Sequence, residues 1–130
     1  MRAPANTRPG FDAGARIDLE RFWGTIGQSA EIGKGRVGGL SRLSLTDSDK
    51  AMRDLFVTWC EQASLAVTID ELGNIFARRE GLSNDEAPIM IGSHLDTQVN
   101  GGRFDGIAGV LAGLEGNRGR SPGNQAGVAA

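Results

Sequence analysis

The stretch IMIGSHLDTQVNGGRFDGIAGVLAGLE, residues 89–115, joins a short apolar run to a helical pattern through a glycine-rich loop. It carries the clearest signals of the fold class. The apolar run at 89–91 ends at Gly92, and a continuous run of this kind is typical of a strand covered on both faces, as in a parallel sheet. The small residues of the last part permit close packing of a helix. We therefore predict an inner strand over 89–92 and a helix over 106–115.

Two further helices are predicted upstream, over 17–27 and 47–63, because apolar residues recur there at helical spacing. Thr46 is expected to cap the second helix, with Asp49 three residues later in the arrangement of a capping box. Alternating apolar residues on either side of a turn predict two strands, at 65–70 and 75–80. The order of these elements favours an α/β class with a mostly parallel sheet.

The remaining segments show no periodicity. Residues 1–16 are expected to form a disordered leader, and residues 116–130 an unstructured tail that is rich in glycine. The segment GKGRVGGLSRLSL, residues 33–45, invites comparison with a phosphate-binding loop. Its glycine spacing matches neither the Walker nor the dinucleotide pattern, so a flexible connection is expected instead. We therefore expect residues 17–115 to form the folded part of the chain.

The composition excludes several classes of function. Hydrophobic residues make up 39% and charged residues 23% of the 130 residues, which is typical of a globular domain or a part of one. A net charge of −2 with scattered basic residues argues against nucleic-acid binding. No stretch has the length of a membrane span or a signal peptide, and the single cysteine, Cys60, fits a reducing compartment. We therefore expect a cytoplasmic protein without nucleic-acid or membrane partners.

The candidate chemistry lies at the end of the predicted inner strand. His94, the single histidine, and Asp96 would emerge at the carboxyl edge of the sheet, where α/β folds place their ligand sites. Asp105 precedes the following helix. Imidazole and carboxylate are the ligands that zinc and neighbouring transition metals prefer, and Asp96 could instead accept a hydrogen bond from the imidazole of His94. The residues therefore make a metal site one candidate.

Simpler interpretations of the same residues stay open. A single histidine is more often a surface or core residue than a ligand, and Asp105 could serve only as a helix N-cap. The Asn-Gly-Gly sequence at 100–102 could be only a turn. One histidine and two acids do not by themselves decide between these alternatives.

The stretch GSHLDTQVNGGRFDGIAGVLAGLE resembles the metal-binding part of the N-carbamoyl-L-amino-acid hydrolases. That family also contains allantoate amidohydrolases and β-ureidopropionases, and it lies within the superfamily of dinuclear-metal aminoacylases and carboxypeptidases. The resemblance extends upstream through the turn at Asp70, Gly73 and Asn74 and covers about residues 17–115. It implies the N-terminal part of a three-layer α/β/α metallopeptidase-like catalytic domain.

The resemblance also implies roles for the candidate residues. His94 is similar to the first metal ligand of the family, Asp105 to the carboxylate that bridges two metals, and Asp96 to a catalytic aspartate that supports the ligating histidine. Two divalent metals are implied, with zinc first and manganese, cobalt or nickel as alternatives. The implied reaction is hydrolysis of a non-peptide C–N bond in an N-carbamoyl-L-amino acid or a related ureido acid, a small-molecule substrate.

The sequence departs from the family pattern after Asp105. The pattern includes a Glu-Glu pair and two later histidines, whereas this sequence has no Glu-Glu pair and no second histidine. The lid domain, which forms the homodimer of the family, is also absent from these residues. We therefore expect an incomplete catalytic domain, ending in a tail such as a frameshift would produce. The alternative to an amidohydrolase is thus a truncated, catalytically inactive fragment of one.

Overall fold

The computed structural model describes residues 17–81, 83 and 85–119, together with the backbone of 127–129. Its elements follow one another in the order α1 (Leu19–Ser29), α2 (Asp47–Gln62), β1 (Ala66–Ile69), β2 (Ile75–Arg78), β3 (Met90–Gly92), α3 (Ile107–Arg118) and β4 (Gly127–Ala129). All three predicted helices and all three predicted strands are present, and β4 is an additional strand. None of these three helices is long and apolar enough to cross a membrane.

The start of α2 follows the predicted cap with one difference. The hydroxyl of Thr46 accepts a hydrogen bond from the backbone N–H of Asp49 at 3.3 Å, which confirms Thr46 as the N-cap. The Asp49 carboxylate accepts from the N–H of Leu45 at 3.0 Å, one residue before the position that a capping box uses. The first bond satisfies an N–H group that a helix start would otherwise leave without a partner, and the second holds the residue that precedes the cap.

Strands β1 and β2 form an antiparallel hairpin, with Ala66 opposite Arg78. The turn between them is organised by Asp70, whose Oδ1 accepts hydrogen bonds from the backbone N–H groups of Leu72 at 3.0 Å and Asn74 at 2.8 Å. The Asn74 amide also donates to Asp70, and these hydrogen bonds lower the pKa of the Asp70 carboxyl. The turn that the sequence suggested at these positions is therefore present.

The α/β class is confirmed, and all three helices share one hydrophobic core with the inner face of β2. The buried members of that core include Ile26 of α1, Met52, Phe56, Trp59 and Cys60 of α2, Ile75 and Ala77 of β2, and Ile107, Val110, Leu111 and Leu114 of α3. The described elements thus make two of the three predicted layers.

The sheet differs from the mostly parallel one that we expected. Its order is β1-β2-β4-β3, and of its three pairings β1–β2 and β2–β4 are antiparallel whereas β3–β4 is parallel. The short turn between β1 and β2 explains part of the difference, since a tight turn joins only antiparallel strands. Parallel pairing is confined to the side of the sheet next to the candidate site.

The prediction of an inner strand over 89–92 is wrong for the part of the chain that the structure describes. Strand β3 lies at an edge of the sheet, and Ile89, Met90 and Ile91 are exposed, Met90 to 63%. An apolar run indicates that residues are suited to burial, but another element must supply the cover. No described element covers this edge.

The predicted tail is also different where the structure describes it. Helix α3 continues past Glu115 to Arg118, and 127–129 form β4, which lies between β2 and β3. The glycine-rich sequence predicted no regular structure at 127–129, but β2 and β3 supply backbone hydrogen-bonding partners on both sides of β4. The rest of the tail, and the predicted leader at 1–16, lie outside the described residues.

A partly buried ion pair joins α1 and α3. The Glu115 carboxylate, 1% exposed as a residue, accepts hydrogen bonds from Arg21 Nε at 3.0 Å and from the backbone N–H of Asp18 at 3.0 Å. Arg118 lies 3.8 Å from the same carboxylate. Burial alone would raise the pKa of Glu115, but these hydrogen bonds and the two positive charges outweigh it and hold that pKa below its usual value.

Candidate active site

His94 and Asp96 follow the carboxyl end of β3 and contact each other directly. The His94 Nδ1 lies 3.1 Å from Asp96 Oδ1 and 3.0 Å from the Asp96 backbone oxygen. An ionised carboxylate and a carbonyl can only accept hydrogen bonds, so Nδ1 carries a proton. In the neutral imidazole the free lone pair is then on Nε2. The side chains are 52% and 41% exposed, so a ligand in solution can reach them.

The second oxygen of the Asp96 carboxylate has its own partner. Ser44 donates a hydrogen bond from its hydroxyl to Asp96 Oδ2 at 3.0 Å. One carboxylate oxygen thus faces the imidazole of His94 while the other is held from the 33–45 segment. The pair of contacts fixes the plane of the carboxylate relative to the ring.

The 33–45 segment is more ordered than the flexible connection that we expected. Leu40 forms isolated bridges with Lys34 and with Gly101, the latter through two backbone hydrogen bonds of 2.9 and 2.8 Å. Further along, Arg42 pairs with Thr97. The segment therefore runs beside residues 93–105, the loop that carries the candidate residues (the site loop), and pairs with it. The local sequence of the segment did not reveal this pairing, because the partners lie more than fifty residues away.

The imidazole of His94 lies against the backbone of Gly106. A Cβ atom on Gly106 would come within 2.5 Å of His94 Nδ1, and Gly106 has a φ of +69°, where side chains are strained. Glycine is therefore required by both the ring and the backbone. Because Gly106 follows Asp105 directly, the turn that carries Asp105 is beside the ring.

Asp105 is exposed and does not cap the helix that follows it. The N-cap of α3 is Gly106, which makes no side-chain cap bond, and the carbonyl of Asp105 accepts from the N–H of Ile107 at 2.8 Å. The helix-cap alternative for Asp105 is therefore wrong. The structure brings His94 and Asp96 into contact through the hydrogen bonds of the His94 ring, and it puts Asp105 on the neighbouring turn.

The donor types here suit a metal, but their number does not complete a site. Imidazole and carboxylate are ligands of zinc, and a catalytic zinc usually has three protein ligands. Among the residues that the structure describes, no group of three or more His, Cys, Asp or Glu side chains could hold a metal ion. The described residues by themselves thus offer a metal fewer ligands than a catalytic zinc usually has.

Comparisons with known proteins identify the class of protein to which this fold and site are related. The chain matches no family model. It is 45% identical over 115 residues to an N-carbamoyl-L-amino-acid amidohydrolase of Rhizobium meliloti, covering 88% of this chain and 26% of that protein. It is 35% identical over 85 residues to an allantoate amidohydrolase of Bacillus subtilis, covering 65% of this chain and 21% of that protein.

A solved structure gives the same result. A hydantoinase/carbamoylase family amidase from Burkholderia ambifaria is similar with a TM-score of 0.85 and 45% identity, over 89% of this chain and 30% of that one. The chain is therefore a homologue of the amidohydrolases. More particularly, it is related to the N-carbamoyl-L-amino-acid and allantoate amidohydrolases, which confirms the resemblance inferred from the sequence. It spans about a quarter of the length of these curated relatives.

Proposed function

We propose that this chain carries part of the active site of a metal-dependent amidohydrolase, within a domain part at 17–115. The proposed reaction is hydrolysis of a non-peptide C–N bond in N-carbamoyl-L-amino acids or related ureido acids, to which the names of the relatives point. The observation that carries the proposal is the contact of His94 Nδ1 with Asp96, which leaves the other ring nitrogen available as a ligand.

The proposed roles follow from the geometry around the ring. His94 would bind a metal through Nε2, with Asp105 on the adjacent turn as the second ligand. Asp96 would accept a hydrogen bond from the Nδ1–H group and so fix the ring orientation and make Nε2 a stronger metal ligand, a role that is worth about 10–100-fold in metal affinity in known sites. A divalent metal in such enzymes polarises the scissile carbonyl and activates water. Zinc is proposed first, with manganese, cobalt and nickel as alternatives.

We further propose that these 130 residues alone are catalytically inactive. Two ligands leave the other positions of a metal to water, and the sequence has no Glu-Glu pair that could supply a general base and a further ligand. Loss of a positioned base alone costs about 10²–10⁴-fold in rate. We therefore derive no catalytic step for these residues. The homodimer implied by the resemblance would likewise require residues outside this chain.

We also propose a cytoplasmic location. Cys60 is buried in the core, where burial raises the pKa of its thiol to about 12, so it is an unreactive core residue rather than half of a disulfide. A protein without structural disulfides fits a reducing compartment. The composition and charge give no reason to expect a nucleic-acid or membrane partner.

Zinc titration and an activity assay on the purified chain test this proposal together. We expect weak zinc binding by calorimetry that His94→Ala abolishes and Glu61→Ala, an exposed acid on α2, leaves unchanged. We expect no ammonia release from N-carbamoyl-L-amino acids with zinc or manganese. Equal zinc binding by His94→Ala would contradict the proposed ligand. Metal-dependent turnover that His94→Ala abolishes would contradict the proposed inactivity.

A further inference from the structure

Arg42 is completely buried although its side chain is charged. Its exposed fraction is 0%, and its guanidinium lies between the end of α1 and the site loop. Burial lowers the pKa of Arg42, and the charges of Asp49 and Asp96 oppose that change. An arginine remains protonated in proteins, so a positive charge is held inside the fold. A buried charge is costly unless hydrogen bonds compensate it.

The guanidinium of Arg42 donates to backbone carbonyls on both sides. Its Nη1 donates to the Ser29 carbonyl at 2.6 Å and to the Ile32 carbonyl at 3.3 Å, at the end of α1. Its Nε donates to the carbonyl of Leu95 at 3.3 Å. Leu95 stands between His94 and Asp96 in the chain, so this bond fixes the peptide that joins the two site residues.

The backbone of Arg42 holds the other side of Asp96. Its N–H donates to the hydroxyl of Thr97 at 2.9 Å, and its carbonyl accepts from the N–H of Thr97 at 2.8 Å. Arg42 therefore binds both the residue before Asp96 and the residue after it. The short segment that carries the Asp96 carboxylate is thus held at both of its ends by a single residue.

A second feature shows that the fold makes room for this side chain. Gly33 has a φ of +77°, and a Cβ at that position would overlap the Cγ of Arg42. Arg42 Nη2 is buried without a hydrogen bond, so the buried guanidinium includes one donor that is not compensated. Apolar residues of similar volume often stabilise a core as well as a buried charge does, so burial alone does not explain an arginine here.

We propose that Arg42 is a positioning residue for the His94–Asp96 pair. Its guanidinium attaches the carbonyl of Leu95 to the end of α1, and its backbone attaches Thr97 to the 33–45 segment. The imidazole is thereby held between Asp96 and the backbone of Gly106. The importance of this position for metal binding rests on the proposed function, whereas the positioning itself does not.

The test compares Arg42→Lys with Arg53→Lys, a control in which the native arginine also donates to a backbone carbonyl, that of Gly73 in the hairpin turn. Lysine keeps the charge, but its three donors share one nitrogen, so it lacks the planar fork with which the Arg42 guanidinium reaches carbonyls on both sides. Amide hydrogen exchange at 95–97 and the proton position on the His94 ring, read by long-range proton–nitrogen NMR, are measured for each variant. The ring signals are unambiguous because the chain has one histidine.

We expect Arg42→Lys to accelerate exchange at 95–97 by about tenfold or more and to shift the ring proton from Nδ1 toward Nε2. Helix content by circular dichroism should be retained. Zinc affinity should fall by about tenfold. Arg53→Lys should change none of these. Equal exchange and an unchanged ring in Arg42→Lys would overturn the proposal. If the native chain binds no zinc, the proposed function fails, but exchange and ring state still decide the role of Arg42.

A measurement on the unmodified chain covers the case in which Arg42→Lys does not fold. If Arg42 holds the loop, the Thr97 amide exchanges only when the whole chain unfolds, at the rate of the slowest amides of α2. Exchange of Thr97 as fast as that of Leu72, in the exposed hairpin turn, would overturn the proposal without any variant.

Discussion

The region formed by α2 and β2 buries its largest apolar residues, whereas the region around β3 exposes them. Met52, Phe56 and Ile75 are completely buried, but Ile91 of β3 is 44% exposed and its neighbours more so. The site loop nevertheless has a defined conformation, because polar contacts from the 33–45 segment hold it. The two regions are therefore ordered by different means: apolar burial orders the first, whereas backbone and side-chain hydrogen bonds, together with the buried side chain of Leu95, order the second.

The largest effect is expected in the apolar region. Phe56→Ala should lower the free energy of unfolding by about 3–5 kcal/mol, because it removes a completely buried ring from the centre of the core. Small domains have few kcal/mol to lose, so this variant should be largely unfolded. Urea unfolding followed by circular dichroism measures the change. Leu72→Ala, at an exposed turn position, is the control and should change stability by less than about 0.5 kcal/mol.

Gly106→Ala should have the next largest effect, and it acts on the polar region. The positive φ alone should cost about 1–2 kcal/mol, and the new Cβ must displace the imidazole of His94. The control is Gly102→Ala, where a Cβ would meet no atom within 4 Å. NMR should show that the His94 ring no longer bonds to Asp96 in the first variant and still does so in the second. An unchanged ring signal in Gly106→Ala would show that the ring does not lie where the structure puts it.

Acid should weaken the link between α1 and α3. The pKa of Glu115 is lower in the folded chain than in the unfolded one, so its contribution to stability is complete above the unfolded pKa and is lost as the pH falls through the folded one. Melting temperatures measured across the acidic range should therefore fall with decreasing pH. Glu115→Gln should reduce that slope, whereas Glu20→Gln, an exposed acid of α1, should leave it unchanged. An identical slope in Glu115→Gln would contradict this assignment.

The smallest effect is expected at the exposed edge. Ile91→Thr should change the free energy of unfolding by less than about 0.5 kcal/mol, because the side chain loses little burial. Its counterpart in the covered region is Ile75→Thr, which puts a hydroxyl into the core and should cost several times more. The variant at the edge should also aggregate less, since an unpaired apolar edge strand promotes association. A large loss of stability in Ile91→Thr would mean that β3 is covered in solution.

The sequence predicted those features whose signals are local. Helical spacing located all three helices, Thr46 marked the start of α2, and the turn at Asp70 marked the hairpin. The contact of His94 with Asp96 could also be predicted, because side chains two residues apart on an extended segment point to the same side. The resemblance to amidohydrolases extended these predictions to the family, which the relatives then confirmed.

Features that depend on distant partners could not be predicted in the same way. The apolar run of β3 gave no information on whether a cover would be present, and Val128 of β4 lies in a stretch that is locally indistinguishable from a tail. Arg42 and Ser44 gave no local signal either, because their roles come from pairing with residues more than fifty positions away. An arginine between a serine and a leucine is expected on the surface, because arginine is rarely buried completely.

The position of a zinc ion in a crystal of this chain tests the central claim most directly. We expect anomalous scattering from zinc bonded to His94 Nε2 at about 2.0–2.1 Å and to the Asp105 carboxylate at about 2.0–2.2 Å. Asp96 should remain on Nδ1, with waters completing the coordination. Zinc bonded to Nδ1 in place of Asp96, or bound at a place that includes neither His94 nor Asp105, would contradict the proposed ligand roles of these two residues.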